Sequence, residues 1–469
     1  MSGSGLSQKV VFDRKLIDKY DRAGPRYTSY PTAPHFHEKF GPEQFRKMAA
    51  DSNVGPDKRP LSIYVHIPFC DTVCYYCACN KVVTPDRSRA AHYLEYLFQE
   101  IPKMGALFDR DRPVVQLHLG GGTPTYLDIG QLGRLQEELG KHFNLMGDDT
   151  GEYGIEVDPR EVPDGTLQGL RDLGYNRISI GVQDLDPKVQ KAVNRIQPKE
   201  LTWRVVEESR AVGFHSINLD LIYGLPFQTE AGFTKTLETV IQDLEPDRLA
   251  VFNYAHLPQY FMPQRRVNPE ELPEPEEKLR ILESAIEVLT RAGYVYVGMD
   301  HFAKPEDELA TAQRNGVLHR NFQGYTTHGE CDLVSLGTTA ISQVGPSYAQ
   351  NLKGLEEYYQ RLDGDEITVF RGLELTRDDL IRRDVIMRLI CDFQLDRTQV
   401  GERLNLDFDD YFKDSLPDIA RMVDEGLLED EGSIIRLTPG GRLLIRNVCM
   451  AFDWYLKNAE QTRSFSKTI

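Results

Sequence analysis

Four closely spaced cysteines are the residues of this chain best suited to chemistry. They are Cys70, Cys74, Cys77 and Cys79, and they follow the strand-like run Leu61–Ile67. The first three have C-x3-C-x2-C spacing, which lets one short loop place three thiolates around a single inorganic cluster. A [4Fe–4S] cluster normally takes four cysteine ligands, so three would leave one iron with an open coordination position. The spacing therefore indicates chemistry at the cluster as well as electron storage.

A structural zinc site is the alternative for this loop. Zinc sites usually divide their ligands into two pairs separated by a dozen or more residues, whereas Cys331, Cys391 and Cys449 are isolated. Disulfides are disfavoured, because seven cysteines is an odd number and the first residues have no apolar signal core. We therefore favour a cluster over zinc, and we expect a reducing, cytoplasmic compartment.

Length and charge restrict the function classes. The 469 residues carry 55 Lys and Arg against 72 Asp and Glu, a net charge of −17. Such a balance argues against a nucleic-acid-binding surface, which requires clustered positive charge. No apolar run approaches the roughly 20 residues that cross a bilayer, and no interface signature argues against a monomer. We expect a soluble enzyme that binds neither nucleic acid nor membrane.

Strand-like runs alternate with helical patterns through the first part of the chain. The helical stripe Leu132, Leu135, Leu139 is typical of the intervening segments. Alternation of this kind predicts βαβ units and a parallel sheet wound into a barrel or part of one. The six runs are Leu61–Ile67, Val114–Leu119, Tyr153–Val157, Arg177–Val182, Ser216–Ile222 and Arg248–Tyr254.

Each of these runs ends in a polar or Gly-rich turn, such as Gly120–Gly122 after the second strand. Barrel enzymes place their active sites at the carboxyl ends of the strands. The cysteine loop follows the first strand and should lie on that same face. The sequence therefore predicts one active site built from several strand ends.

Three domains are predicted along the chain: an N-terminal arm at 1–52, a catalytic domain at 53–368 and a mostly helical C-terminal domain at 369–469. The arm is rich in proline and tyrosine and could be a surface strap or a lid. In the last domain, a cap at Thr376 begins a helix, and a strand, turn and strand follow Glu425. This pattern is winged-helix-like, but no basic recognition helix supports DNA binding.

Several motifs together closely resemble one enzyme family. The cysteine motif and the Gly-Gly-Thr-Pro turn are similar to those of the radical S-adenosylmethionine (SAM) superfamily, and the full set resembles the oxygen-independent coproporphyrinogen III oxidase family. The resemblance runs from about residue 20 to the end. The motifs are Gly24–Pro31, His66–Lys81, Ile155–Arg160, Asp220–Pro226, His319–Thr326 and Gly441–Val448.

The resemblance implies a fold and a reaction. The fold is α/β, a partial (β/α)6 radical-SAM barrel with the N-terminal arm and C-terminal domain described above. Cys70, Cys74 and Cys77 would hold the [4Fe–4S] cluster, and SAM would chelate the fourth iron. The reaction would be anaerobic oxidative decarboxylation of the ring A and B propionates of coproporphyrinogen III, giving protoporphyrinogen IX in haem synthesis. A reduced flavodoxin or ferredoxin-type protein would donate electrons. The alternative on the same fold is a haem-binding chaperone.

The family binds two SAM molecules, and its contact positions match residues of this chain. Glycines there would let backbone approach a ligand closely, carboxylates would accept hydrogen bonds from ribose hydroxyls or an ammonium, and an arginine could clamp a carboxylate. For the first SAM the matched positions are Tyr64, Gly121, Glu156 and Ile341. For the second they are Tyr76, Gly122, Thr123, Gln183, Arg195, Asp220 and Ala255.

Three further residues are expected to act in turnover: Cys79, Arg26 and Tyr30. A fourth thiolate on the cluster would block SAM, so Cys79 is expected to support turnover without ligating iron. Its presence favours the oxidase over the haem chaperone branch, which typically lacks it. Arg26 and Arg320 are the candidates to bind substrate carboxylates.

Overall fold

The computed structural model describes residues 9–55 and 58–458, and these form two compact units. The barrel unit comprises Phe36–Ile281 and Glu330–Glu374. The second unit comprises, among the described residues, 9–35, Leu282–Gly329 and 375–458. The second unit is thus assembled from three separate segments of the chain.

The strands and helices of the described residues have the following bounds. The strands are β1 (Leu61–Ile67), β2 (Phe69–Cys70), β3 (Val82–Val83), β4 (Pro113–Gly121), β5 (Asn144–Leu145), β6 (Glu152–Val157), β7 (Arg177–Gln183), β8 (Ser216–Tyr223), β9 (Arg248–Asn253), β10 (Val295–Gly298), β11 (His301–Ala303), β12 (His319–Asn321), β13 (Gly324–Thr326), β14 (Asp332–Leu336), β15 (Ile341–Val344), β16 (Ser347–Asn351), β17 (Val369–Glu374), β18 (Gln394–Asp396), β19 (Leu428–Asp430) and β20 (Ile434–Leu437). The α-helices are α1 (Arg14–Tyr20), α2 (Pro42–Ser52), α3 (Ser88–Gly105), α4 (Ile129–His142), α5 (Thr166–Asp172), α6 (Pro187–Ala192), α7 (Lys199–Ala211), α8 (Glu230–Thr239), α9 (Pro275–Arg291), α10 (Glu308–Arg314), α11 (Leu355–Asp363), α12 (Arg377–Asp392), α13 (Arg397–Leu404), α14 (Phe408–Tyr411), α15 (Leu416–Asp424), α16 (Ile445–Met450) and α17 (Trp454–Lys457).

The barrel unit contains the six-stranded parallel sheet predicted from the sequence. Its strand order is β1-β4-β6-β7-β8-β9, and each neighbouring pair is parallel. On the other side of β1, the strand β14 is also parallel, and β15, β16 and β17 continue the sheet as antiparallel strands. The carboxyl ends of the six parallel strands therefore lie along one edge, as the (β/α)6 prediction requires.

The crossover helices form where capping signals and apolar periodicity coincide. Asp128 caps α4 by accepting a hydrogen bond from the Gln131 backbone N–H at 2.8 Å, while the Gln131 side chain accepts from the Asp128 N–H. Leu132, Leu135 and Leu139 are fully buried on one face of this helix. The helix predicted from this stripe is confirmed, and burial of that face stabilises it against the sheet.

The second unit combines helices with small antiparallel sheets. Thr376 caps α12 in a reciprocal arrangement with Asp379, as its sequence pattern predicts. Strands β18, β20 and β19 form a three-stranded antiparallel sheet, and β10 pairs with β11 and β12 with β13. The predicted helix after Thr376 and the predicted strand, turn and strand after Glu425 are therefore present.

The described part of the arm that belongs to the second unit, residues 9–35, is tied to the C-terminal helices of that unit by two buried tyrosines. The Tyr27 hydroxyl donates to Asp453 Oδ2 at 2.9 Å, and the Tyr30 hydroxyl accepts from the Trp454 N–H at 3.0 Å. Both tyrosine side chains are 1 % exposed. These contacts anchor the arm at both tyrosines, and the strap and the lid both stay predictions. In the described ranges, no helix is both long and apolar enough to cross a membrane.

Candidate active site

The cysteine loop is closed at its base by a short pair of strands. Strand β2, which contains Cys70, pairs in parallel with β3, so that Phe69 lies opposite Val82. The Thr84 N–H donates to the Cys70 carbonyl at 3.0 Å, and the Val82 N–H donates to the Pro68 carbonyl at 2.7 Å. The loop therefore leaves and rejoins the carboxyl end of β1 at fixed points.

Segments that follow other strands also hold the loop in place. The Tyr75 N–H donates to the Val193 carbonyl at 2.9 Å, and Asn194 Nδ2 donates to the Val73 carbonyl at 2.7 Å. Gln264 Nε2 donates to the carbonyl of Tyr76 at 3.0 Å. Backbone groups between the cysteines are thus satisfied by the barrel, which fixes the loop before any ligand binds.

The glycine turn after β4 packs directly against the start of the cysteine loop. The N–H groups of Gly122 and Thr123 donate to the Ile67 and Phe69 carbonyls, both at 2.8 Å. Gly121 has φ +121°, and a Cβ at that position would lie 2.7 Å from the His66 ring. Glycine is required here by backbone conformation and by close approach.

Most of the predicted site residues line one cavity at this edge of the sheet. The cavity also includes residues that sequence reasoning did not nominate, among them Lys81, Asp158 and Arg160. The predicted residues that line it are Cys70, Cys74, Tyr76, Cys77, Cys79, Gly121, Gly122, Thr123, Glu156, Gln183, Arg195 and Asp220. Residues from the ends of four strands (β4, β6, β7 and β8), from the cysteine loop and from the segment after α6 are therefore brought together.

Three predicted SAM contacts are not among the described residues that line this cavity. Tyr64 lies on β1, where its hydroxyl is 3.1 Å from His66 Nδ1. Ile341 begins β15, and its carbonyl accepts from Ser335 Oγ at 2.6 Å. Ala255 lies two residues beyond the end of β9. Their roles in SAM binding stay predictions.

A carboxylate held between two arginines lies beside the cysteines. Asp158 Oδ2 accepts from Arg195 Nη1 at 2.8 Å and from Arg160 Nη2 at 2.6 Å. Burial alone would raise the pKa of Asp158, but the two guanidinium groups outweigh it and lower the pKa to about 2. Asp158 is therefore ionised at neutral pH. Asp158 directly follows β6. Its position at a strand end is the feature of the sequence that could have identified it as a site residue.

A second buried carboxylate, Asp220, has a different environment. It accepts hydrogen bonds from Asn218 Nδ2 at 2.7 Å and Ser179 Oγ at 3.0 Å. Burial, and then the negative charge of Glu156, raise the pKa of Asp220 to about 6. Glu156 itself lies under the glycine turn, where it accepts from the Gly121 N–H at 3.3 Å. The two carboxylates can accept hydrogen bonds from a ligand's hydroxyl or ammonium groups.

The cysteine thiols have unequal surroundings. A hydrogen bond from Cys79, assisted by Lys81, outweighs burial and lowers the pKa of the Cys77 thiol. Burial raises the pKa of the Cys70 thiol to about 12, although Thr123 Oγ1 is 3.6 Å from its sulfur. Cys79 thus lies next to a predicted ligand, where its thiol can donate to sulfur.

The donor set fits a cluster and an additional polar ligand. In residues 9–55 and 58–458, no group of three or more His, Cys, Asp or Glu side chains is arranged for a single metal ion. Three thiols on one loop suit a four-iron cluster, which takes cysteine thiolates as its ligands. Arg195 Nε and Asn218 Oδ1 are buried without a hydrogen-bond partner in the described structure. Buried polar atoms of this kind indicate a missing partner.

Arg26 and Arg320, the predicted substrate contacts, are both in the second unit. Arg26 pairs with Asp300 at 3.2 Å. The Arg320 guanidinium lies 4.8 Å from the Tyr325 ring centre, and its Nε and Nη1 are buried without a partner in the described structure. Burial, and then the charges of Arg26 and Arg320, lower the pKa of Arg446 to about 10. The unit thus holds three neighbouring cations.

Comparisons with known proteins show the family of this chain. The radical SAM superfamily matches residues 64–240, and the HemN C-terminal domain matches residues 375–444. An oxygen-independent coproporphyrinogen III oxidase from Pseudomonas aeruginosa is 52 % identical over 98 % of this chain and 99 % of its own length. The Escherichia coli enzyme of the same name is 50 % identical over 98 % and 99 %.

A solved structure agrees over the same extent. It is described as coproporphyrinogen III oxidase (HemN) from Escherichia coli, a radical SAM enzyme, and it superposes with a TM-score of 0.91 and 49 % identity over 96 % of this chain and all of its own. The partial barrel and the helical C-terminal part are therefore confirmed as the fold of this family. With identities near one half over the full length of its relatives, this chain belongs to the oxygen-independent coproporphyrinogen III oxidase family of the radical SAM superfamily.

Proposed function

We propose that this chain catalyses the anaerobic oxidative decarboxylation of coproporphyrinogen III to protoporphyrinogen IX. The propionates on rings A and B become vinyl groups, a step of haem synthesis. One cavity brings together the three cysteines, the glycine turn and the paired charges. This observation supports the proposal, because 98 % of the chain matches the named enzymes.

The family uses a [4Fe–4S] cluster and SAM. When bound, they would supply a carbon radical able to remove a hydrogen atom from a substrate propionate. Cys70, Cys74 and Cys77 would hold the cluster, because they share one loop and one cavity. Cys79 would stay off the cluster, although it lines the same cavity as the predicted ligand Cys77. Its role is to support turnover beside the cluster.

The protein would bind one SAM at the cluster and a second beside it. Glu156 and Gly121 would contact the first, together with Tyr64 and Ile341. Hydrogen-bond acceptors on Glu156 suit the ammonium or ribose hydroxyls of that ligand.

The second SAM would be bound by the other set of matched residues. Arg195 Nε is a buried donor without a partner in the described structure, which suits a carboxylate. Asp220 would accept from a ribose hydroxyl. The other contacts would be Tyr76, Gly122, Thr123, Gln183 and Ala255.

Substrate carboxylates would be bound by the cations of the second unit. Arg320 Nε and Nη1 are buried and lack a partner in the described structure, and Arg26 has a single carboxylate partner, Asp300. An Arg26→Ala variant should therefore have a raised Michaelis constant for coproporphyrinogen III. Tyr30 would act by holding the arm that carries Arg26, because its hydroxyl is bonded to the Trp454 backbone.

The remaining partners follow from the reaction. An electron is needed for each SAM cleavage, so a reduced flavodoxin or ferredoxin-type protein would be the donor. The chain would act as a cytoplasmic monomer.

The test is an anaerobic assay with the reconstituted protein. Reductant, SAM and coproporphyrinogen III are added, and 5′-deoxyadenosine and protoporphyrinogen IX are quantified. Substrate-dependent formation of both supports the radical decarboxylase, with Cys77→Ser as the inactive control. Slow deoxyadenosine formation without a vinyl product would contradict it and favour a haem-binding relative.

A further inference from the structure

All three predicted cluster ligands have hydrogen-bond donors near their sulfur atoms, and Cys74 differs in having two arginines. Cys77 has Cys79 and Lys81 as its hydrogen-bond partners. Arg160 Nη2 lies 3.5 Å from Cys74 Sγ, and Arg195 Nη1 lies 3.6 Å from the same sulfur. The Cys70 sulfur has a hydroxyl contact, from Thr123 Oγ1 at 3.6 Å. Cys74 is therefore the sulfur with two guanidinium donors.

Arg160 is held rigidly in this position. Its Nη2 and Nε donate to the two carboxylate oxygens of Asp158 at 2.6 and 3.0 Å, and its backbone N–H donates to Asp158 Oδ1 at 3.1 Å. Asp158 also binds Arg195, so one carboxylate fixes both cations. The Arg160 side chain is 19 % exposed and that of Asp158 is 8 % exposed. The donor geometry is thus fixed by the fold, with little of it open to solvent.

Guanidinium donors have a definite effect on an iron–sulfur cluster. Reduction adds negative charge, part of which resides on the sulfur ligands. A cationic N–H donor at such a sulfur stabilises the reduced form more than the oxidised form, and the net charge and hydrogen bonds around the sulfurs set the reduction potential. Partial burial strengthens the interaction, because solvent screens it less.

We propose that Arg160 sets the reduction potential of the cluster by donating an N–H···S hydrogen bond to Cys74. Arg160 would not bind iron itself. It would act on the cluster through the ligand Cys74, and Asp158 holds its guanidinium in place. The inference rests on the proposed function in one respect, namely that Cys70, Cys74 and Cys77 hold the cluster. It adds a residue that neither the motif spacing nor the SAM contacts identify.

The test is a redox titration of the reconstituted protein, followed by electron paramagnetic resonance of the reduced cluster without substrate. Arg160→Gln should lower the midpoint potential, because the donor and its charge are lost. We expect the equilibrium constant for one-electron reduction to fall at least tenfold, which is 59 mV. Iron and sulfide content are measured alongside, so that the comparison uses fully loaded protein.

Arg87→Gln is the matched control. Arg87 is a neighbouring cation whose guanidinium binds Asp71, Glu161 and the Tyr126 carbonyl instead of a cysteine sulfur. Its removal should change the midpoint potential much less than Arg160→Gln does. Equal decreases in the two variants would overturn the proposal, because they would indicate only the general loss of positive charge.

A second variant covers the case in which Arg160→Gln does not load its cluster. Arg160→Lys keeps a cation beside Asp158 but cannot bridge the carboxylate and the sulfur through one planar group. Its midpoint should be lowered, by less than in Arg160→Gln. If Arg160→Lys, and any Arg160→Gln protein that contains the cluster, have the wild-type midpoint potential, the role of Arg160 is overturned. The proposed function would not be affected by that result. A wild-type protein that forms no reducible [4Fe–4S] cluster would instead contradict the proposed function.

Discussion

Gly122→Ala should displace the base of the cysteine loop and slow SAM cleavage. A Cβ at position 122 would lie 2.7 Å from the Phe69 carbonyl oxygen and 2.8 Å from the carbonyl carbon and oxygen of Pro68. All three are backbone atoms, so no side chain can rotate away to make room. Pro68 and Phe69 lead directly into Cys70, so any adjustment is transmitted to the first predicted cluster ligand.

The size of the effect follows from these distances. Ordinary contacts of a Cβ begin at 3.4 Å, so the backbone on one side must move by roughly 0.7 Å. Overpacking of this kind typically costs about 1–3 kcal/mol of stability. A displacement approaching 1 Å at a reacting centre can reduce the rate by about 10²-fold. We therefore expect a 10- to 100-fold loss of the SAM cleavage rate in a protein that remains folded.

The assay is 5′-deoxyadenosine formation by the reconstituted, reduced protein, with the thermal midpoint measured in parallel. Gly133→Ala is the matched control, since Gly133 lies inside α4 and its Cβ would meet Leu173 Cδ2 at 3.7 Å, an ordinary contact. Alanine in a helix interior stabilises by about 0.5–1 kcal/mol relative to glycine. The control should therefore cleave SAM at the wild-type rate and be slightly more stable.

A Gly122→Ala variant that cleaves SAM as fast as wild type at full cluster loading would contradict this prediction. Equal losses in the two alanine variants would also refute it, because the control does not crowd the backbone of the cysteine loop.

Three further predictions concern a buried ion pair, a titrating carboxylate and the fourth cysteine of the loop. Asp332→Asn should lower the free energy of unfolding by about 3–5 kcal/mol, because it leaves the buried Arg112 without its carboxylate partner at 2.6 Å. Asp111→Asn, at an exposed ion pair, should cost less than about 1 kcal/mol, and equal losses in denaturant titrations would contradict this. SAM affinity should fall as the pH drops below about 6, since the pKa of Asp220 is raised to about 6 and its ionised form is the better acceptor. In calorimetric titrations, the SAM affinity of Asp220→Asn should not depend on pH in this range. An unchanged pH dependence in this variant would count against a role of Asp220 in SAM binding. Cys79→Ala should retain its cluster iron and lose turnover, and iron loss or normal turnover would disprove the assignment.

The sequence determined the elements that have a local signature. The six parallel strands were found at their observed positions within one or two residues, because alternating and helix-period apolar residues reflect burial along a single segment. The spacing of Cys70, Cys74 and Cys77 likewise predicted their common location, since one short loop cannot separate them. The resemblance to a family then identified most of the residues that line the cavity.

Tertiary structure alone decided how charges are arranged around the cysteines. Arg195 is 121 positions from Cys74 and 37 from Asp158, and no local pattern indicates that they meet. Asp158 and Arg160 lie in the motif Ile155–Arg160, at the end of β6. Their role depends on Cys74, which lies in the loop after β1. Hydrogen bonds between distant segments are set by strand order and register, and the sequence of any one segment carries no record of them.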